Sequence, residues 1–385
     1  MRRLGLMISA LGFFLFAQVA QADWAPAKRL TWNSGDSQVP AIAADSWGNL
    51  HVVWEDDAPS PKVPEIYYKK SADGGTSWTA SQRLTWNSGE SRQPAIAVDM
   101  WGILHVVWQD NTPGNYEIYY KKSTDGGNTW TASQRLTWTS GVSQGPAIAI
   151  DSWGNLHVLW YDYTPGNYEI FYSKSTDGGA TWTASQRITW TSGWSGLPAI
   201  AIDSSSNVHV VWSDETPGNA EIYYKQSTDG GVSWSISQRL TWNSGISQVP
   251  AIAVNPSGDL HTLWWDNTPG NAEIYYKKSM DGGVTWLIRK RLTLTSKDSQ
   301  APAIAVDPSG GLHALWWDST PGNAEIFYKK STDGGATWTS SQRLTWSSGG
   351  SYGPAIAVDY SGKLHVVWYD DKPGNYEIYY KKFIK

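Results

Sequence analysis

The sequence predicts an all-β chain folded as a single seven-bladed β-propeller of four-stranded antiparallel blades. Three observations carry that prediction. The stretch Ser123-Thr-Asp125-Gly-Gly127-Asn-Thr129-Trp130 recurs with starts at 71, 175, 227, 279 and 331, a fixed period of 52, and periods of this size mark repeat architectures. A His inside an apolar run occurs at 51, 105, 157, 209, 261, 313 and 365, which gives seven copies. The repeat is also out of phase with the chain: Trp24 to Trp32 matches Trp78 to Trp86, and the last repeat stops at Phe383-Ile-Lys385 after its third segment. A lone fourth strand at the start would therefore complete the last blade and remove two exposed sheet edges.

Each repeat divides into four segments, and the second serves as the type. Pro94 to Asp99 is a short apolar run, followed by a turn at Met100 to Ile103. Leu104 to Asp110 is a second run, closed by the Pro-Gly turn Asn111 to Asn115. Glu117 to Lys122 is rich in strand formers. The Asp-Gly-Gly turn comes next, and Ser133 to Trp138 is the fourth segment. The mature chain has no helical periodicity. The first interval between His residues is 54, because the loop Asp57 to Pro64 carries two extra residues.

The first 22 residues read differently. Arg2 and Arg3 precede an apolar run from Leu4 and a small-residue site, Ala20-Gln-Ala22. That is the pattern of a cleaved signal peptide over 1–22, leaving residues 23–385 as the propeller. The expected location is secreted or periplasmic, with no membrane insertion after cleavage. The mature chain has 28 basic against 35 acidic residues. That balance argues against nucleic acid as a partner. The absence of Cys excludes disulfides and thiolate metal sites. No metal and no cofactor are expected.

In the type turn, Asp125 is expected to accept backbone N–H bonds from the Gly126-Gly127 hairpin, and Trp130 to pack under the blade. This motif resembles the Asp box, or BNR repeat, of the sialidase-like propellers, over essentially the whole mature chain. The resemblance implies a structural turn at Asp73, Asp125, Asp177, Asp229, Asp281 and Asp333, on the face opposite the ligand site. The catalytic members of that family look like six-bladed rings, with an arginine triad, a Tyr/Glu nucleophile pair, an Asp acid/base and an Arg-Ile-Pro segment. Here the predicted ring has seven blades and no Arg-Ile-Pro occurs. Arg29, Arg83, Arg135, Arg187, Arg239, Arg291 and Arg343 share one repeated fourth-strand position, leaving Arg92 and Arg289. Sialidase catalysis is therefore not expected, and no catalytic residue is assigned.

Repeated positions are read as the blade's own packing. Twenty of the 26 Trp fall at three such positions, represented by Trp54, Trp78 and Trp32, and the repeated His is read as a packed core residue. The unit around Asp110 and Glu117 is read as a turn, with Asp110 capping it and Glu117 pairing with a Lys. The remaining Trp and the blade-to-blade variation point to a site. Trp47, Trp101 and Trp153 lie on the face of the Asp-Gly-Gly turns. On the opposite face, the loops between strands four and one and between strands two and three hold the candidate ligand-binding residues Arg92, Tyr161, Trp194, Trp265, Trp317, Tyr352 and Tyr369. Tyr116, Tyr168 and Tyr376 alternate with Ala nearby. Aromatic, amide and charged groups on a rigid concave face suit sugar rings. The expected function is a non-catalytic module that binds a glycan or glycoconjugate. The alternatives are a glycoside hydrolase using carboxylates among Asp36, Glu55, Glu90 and Asp298, and a scaffold for a protein partner in the envelope.

Overall fold

Each repeat forms one four-stranded antiparallel sheet, and the computed structural model contains seven of them. It describes residues 24–58 and 62–384, so the predicted leader over 1–22 lies outside the described residues. In the type blade the strands are Ser91–Val98, Leu104–Asp110, Glu117–Ser123 and Gln134–Arg135. The inner strand starts three residues earlier than the sequence predicts, and the outer one is only two residues long. The second and third strands pair without irregularity, from Leu104 opposite Ser123 to Asp110 opposite Glu117. The N-terminal strand Lys28–Arg29 pairs with Tyr380 and Tyr379 of the last blade, closing the ring as predicted. No helix among the described residues is long and apolar enough to cross a membrane.

The core lies in the seams between blades. Every residue of Leu104–Asp110 is buried. Alternation along the strand sends its side chains to two different seams. Leu104, Val106 and Trp108 pack with Val53, Ile66 and Tyr68 of the preceding blade. Val107 packs with Leu156, Val158 and Trp160 of the following blade. The same arrangement joins Leu50, Val52 and Trp54 to Val367, Ile378 and Tyr380, where the last blade meets the first. The seven second-strand Trp are at most 1 % exposed. Burying a ring of this size removes roughly 150–250 Å² from water, worth about 4–6 kcal/mol before the entropy cost.

The Asp-Gly-Gly turns fasten the seams from one face. Asp125 Oδ1 accepts the Thr129 N–H (2.9 Å), Oδ2 accepts the Thr129 hydroxyl (2.6 Å), and Ser123 Oγ accepts the Gly127 N–H (2.8 Å). The glycine amides therefore do not bind Asp125 as the sequence reading expected; the amide four residues on does. Gly127, at φ +91°, lies against the preceding blade: a Cβ there would sit 2.0 Å from the Tyr68 hydroxyl oxygen. Trp130 meets the same Tyr68 edge-on at 5.1 Å. Tyr68 in turn contacts His51 Nδ1 at 2.8 Å, and His51 Nε2 approaches Asp45 at 3.4 Å. Burial pushes His51 down to about 4, so it is neutral at pH 7. The repeated His is thus a buried structural residue. Among the described residues no group of His, Asp and Glu is arranged to hold a metal.

Candidate functional site

The face opposite the Asp-Gly-Gly turns is built from the start of each inner strand and the end of each second strand. In every blade the inner strand carries a register shift there, such as the one between Arg92 and Ala95. The residue in each shift has positive φ: Val39 (49°), Gln93 (51°), Gly145 (58°), Leu197 (53°), Val249 (53°), Ala301 (49°) and Gly353 (53°). A left-handed backbone costs a non-glycine residue roughly 1–2 kcal/mol. The sheet holds it in place, and the bulge re-aims the side chains on either side. The adjoining positions are the ones that vary from blade to blade.

Blades 1 and 2 contribute a polar cluster. Arg92 donates from Nε to Glu90 (2.9 Å) and from Nη1 to Glu55 (3.2 Å). The second oxygen of Glu55 accepts the Gln93 N–H at 2.8 Å. The Tyr116 hydroxyl donates to Glu90. Burial raises the Glu55 carboxyl above its ordinary range, against the opposing pull of Gln93 and Arg92. Glu90 moves the other way, held down first by the Tyr116 hydroxyl and then by Arg92. Burial, and then Glu90, push Tyr116 up to about 12.

Blades 6 and 7 place an aromatic wall beside this cluster. Trp317 meets Tyr352 edge-on at 5.6 Å, Tyr352 stacks on Tyr369 at 5.8 Å, and Tyr376 closes on Tyr369 at 5.2 Å. Burial raises Tyr369 to about 12, and Glu55 across the ring closure adds to the shift. Tyr369 also packs in the seam against Leu50, Val52 and Trp54 of the strand that carries Glu55, so wall and polar cluster lie on four successive blades. A second cluster sits on blades 3 and 4, where Tyr161 contacts Tyr168 at 5.3 Å and Trp194 at 6.2 Å.

The seven candidates thus divide. Trp317, Tyr352, Tyr369 and Arg92 come together around the ring closure, Tyr161 and Trp194 form the second group, and Trp265 packs onto the seam between blades 5 and 6. All seven are half-buried. Tyr116 and Tyr376 join the site; their alternation with Ala was the signal in the sequence. Of the four carboxylates considered for hydrolysis, Asp36 and Asp298 accept backbone N–H bonds from Tyr376 and Ala272. Only Glu55 and Glu90 are engaged with Arg92.

Several expectations are corrected. Glu117 is fully buried and pairs with Arg135 at 2.8 Å, not with a Lys, and every repeated fourth-strand Arg pairs with a third-strand Glu in this way. Asp110 does cap its turn, through the Thr112 N–H at 2.9 Å. The Trp at the end of the fourth strand is not packing: Trp32, Trp86, Trp138, Trp190, Trp242 and Trp346 are 59–71 % exposed. A cleft of about 380 Å³ opens on the opposite face, by Asp203, Asn255, Asp307 and Asp359. The side chains of these four residues are taken up by backbone N–H groups of their own turns.

No protein-family model matches the sequence. A protein named sialidase from Bacteroides fragilis (strain YCH46) is 26% identical over 349 residues, covering 83% of this chain and 57% of the relative. The chain therefore spans a little over half the length of that relative. Among solved structures, an ulvan lyase, described as a new family of polysaccharide lyase, superposes with a TM-score of 0.65 at 12% identity, over 92% of this chain and 95% of its own. A Hadza microbial sialidase superposes with a TM-score of 0.53 at 16% identity, over 90% and 65% respectively. Fold, relative and neighbours agree: the chain is a seven-bladed β-propeller similar to sialidases.

Proposed function

We propose that this protein is an exported, non-catalytic carbohydrate-binding propeller. Its glycan lies on the face of the bulged inner strands, across the Trp317–Tyr352–Tyr369 wall and the Glu55–Arg92–Glu90 cluster. The observation that carries the reading is the adjacency of the two: Tyr369 packs in the seam against Leu50, Val52 and Trp54, on the strand that also carries Glu55. Aromatic faces take the apolar side of a sugar ring, while the fixed carboxylates and guanidinium meet its hydroxyls. The names of the relative and the neighbours supply a carbohydrate context. The repeated arginines are each paired with a buried Glu and Arg289 reaches Asp266, so a single arginine, Arg92, serves this cluster, which supports binding without sialidase chemistry. Export rests on the residue pattern of 1–22, with the mature protein secreted or periplasmic and not inserted in a membrane.

The test is a glycan array probed with Asp23 to Lys385, alongside the Trp265→Ala/Trp317→Ala and Tyr369→Ala variants. Binding lost in both variants supports the site. Equal binding by all three proteins rules it out. A glycoside hydrolase is a second reading, favoured by one observation: the environments of Glu55 and Glu90 push their acidities apart, as in acid/base pairs. Turnover of sialosides or neutral glycosides that Glu55→Gln abolishes would establish it. A stoichiometric protein partner recovered with no glycan binding would favour a scaffold.

A further inference from the structure

The exposed tryptophans of the outer edge form a second feature, away from the site above. Each lies at a seam. Trp32 is held between Arg29 of its own strand (5.8 Å) and Lys69 of the next blade (5.5 Å). The same pair of cations flanks Trp86, Trp190, Trp242 and Trp346. Trp138 has Arg135, while blade 3 has Ser173 in place of the Lys. The outer strands are two residues long, so they leave the third strands partly uncovered. Clefts of about 410 Å³ beside Trp32 and about 230 Å³ beside Trp346 open there.

A buried indole needs no explanation, but six exposed ones at one repeated position do. Cation–π contacts fix each ring in place, so stacking on it costs little further ordering. The cations beside it are already engaged. Arg29 pairs with Glu377 at 2.6 Å, and the Lys69 ammonium donates to the Leu30 carbonyl. The clefts therefore offer a flat apolar face bordered by hydroxyls, such as those of Ser77 and Ser347, beside a paired Arg and a Lys already tied to a backbone carbonyl. That chemistry fits an uncharged pyranose ring. Six equivalent copies around a rigid ring fit a ligand that itself repeats.

We propose that the outer edge of the propeller is a multivalent binding surface for a neutral polysaccharide, with one sugar ring stacked on each exposed Trp. Individual contacts are weak, and the ring geometry converts them into avidity. Blade 5 carries Leu294 in place of the Trp and is a natural gap in the series.

The test is co-sedimentation of Asp23 to Lys385 with microcrystalline cellulose, chitin and insoluble β-1,3-glucan. The native protein is expected to pellet with at least one of them. Replacing all six Trp by Ala should weaken that binding by 100-fold or more, with the melting temperature as the check on folding. Trp317→Ala/Tyr369→Ala should leave it unchanged, which separates this surface from the site on the bulged face. Leu294→Trp should tighten it several-fold, and this variant decides the matter if the sixfold one does not fold. A native protein that stays in the supernatant with every probe overturns the proposal, as does a sixfold variant that pellets like the native one. A sixfold variant that instead converts an oligomer to a monomer overturns it in favour of self-association.

Discussion

Arg92 of the second blade reaches Glu55 of the first at 3.2 Å, and the other oxygen of Glu55 takes the neighbouring Gln93 amide at 2.8 Å. Removing the guanidinium leaves a buried carboxylate with one partner. Arg92→Ala should raise the Glu55 pKa further, as read by carboxyl NMR titration. The cost at pH 7 should be about 1 kcal/mol, because the Arg is partly exposed and solvent screens the pair. A carboxyl whose folded pKa is raised favours the fold while protonated and opposes it as pH rises through that value. The penalty of Arg92→Ala should therefore be larger at pH 8 than at pH 4. An unchanged Glu55 titration would show that burial alone sets it.

The two glycines of each Asp-Gly-Gly turn should differ in what they tolerate. Both have positive φ, but only Gly127 meets a neighbouring blade, with a Cβ position 2.0 Å from the Tyr68 hydroxyl. Gly126 has only the flexible end of Lys70 at 3.0 Å. Urea denaturation of Gly126→Ala should give a loss of about 1 kcal/mol, from backbone strain. Gly127→Ala should lose about 3 kcal/mol, since the seam must also open. Equal losses would mean that the contact with Tyr68 carries no stability.

Val249 holds a left-handed backbone at φ +53°, where blades 3 and 7 have Gly145 and Gly353. Glycine relieves strain of roughly 1–2 kcal/mol and adds about 0.5–1 kcal/mol of unfolded-state entropy. Val249→Gly should therefore be neutral, or stabilising by up to about 1 kcal/mol. A loss of that size in urea denaturation would show that the Val side chain contributes more by packing than its backbone costs.

The seam histidines set the acid limb of stability. Burial lowers His51, His105, His157 and His261 from 6.5 to about 4. The unfolded chain takes up protons that the folded one refuses. Their contribution is complete above pH 6.5 and is lost as pH falls from there toward 4, at up to about 1.4 kcal/mol per pH unit for each His. The Asp-Gly-Gly turns act lower, because hydroxyl and amide donors depress Asp125, Asp177 and Asp333 from 3.8 to about 2. Their contribution is lost between those values. Melting temperature should begin to fall near pH 6.5 and continue below 4. A flat profile between pH 6.5 and 4 would contradict neutral buried histidines.

The ring, its blade count and its closure were legible because the repeat fixes them: seven His at one position and an unpaired strand at each end admit few other solutions. Residues that differ among blades located the variable face, since the backbone is constant and only side chains change. Ion-pair partners were not legible. Glu117 and Arg135 are 18 residues apart and meet only through the third-to-fourth strand register. Repetition also misled at Trp32 and its equivalents. An invariant position within a repeat is equally the mark of packing and of a site present in every blade, and only exposure separates the two. The grouping of Arg92 with Tyr369 depends on ring closure, which leaves residues 277 positions apart separated by a single blade.

The central claim is that glycan binds on the bulged face beside the ring closure. Its most direct test is a fluorescence titration of Asp23 to Lys385 with the best glycan from the array. The same titration should be run on Trp317→Ala and on Trp47→Ala, whose Trp lies on the opposite face. Saturable binding is expected, weakened at least tenfold by Trp317→Ala and unchanged by Trp47→Ala. Saturable binding unaffected by Trp317→Ala but lost in Trp47→Ala would contradict it and move the site to the face of the Asp-Gly-Gly turns.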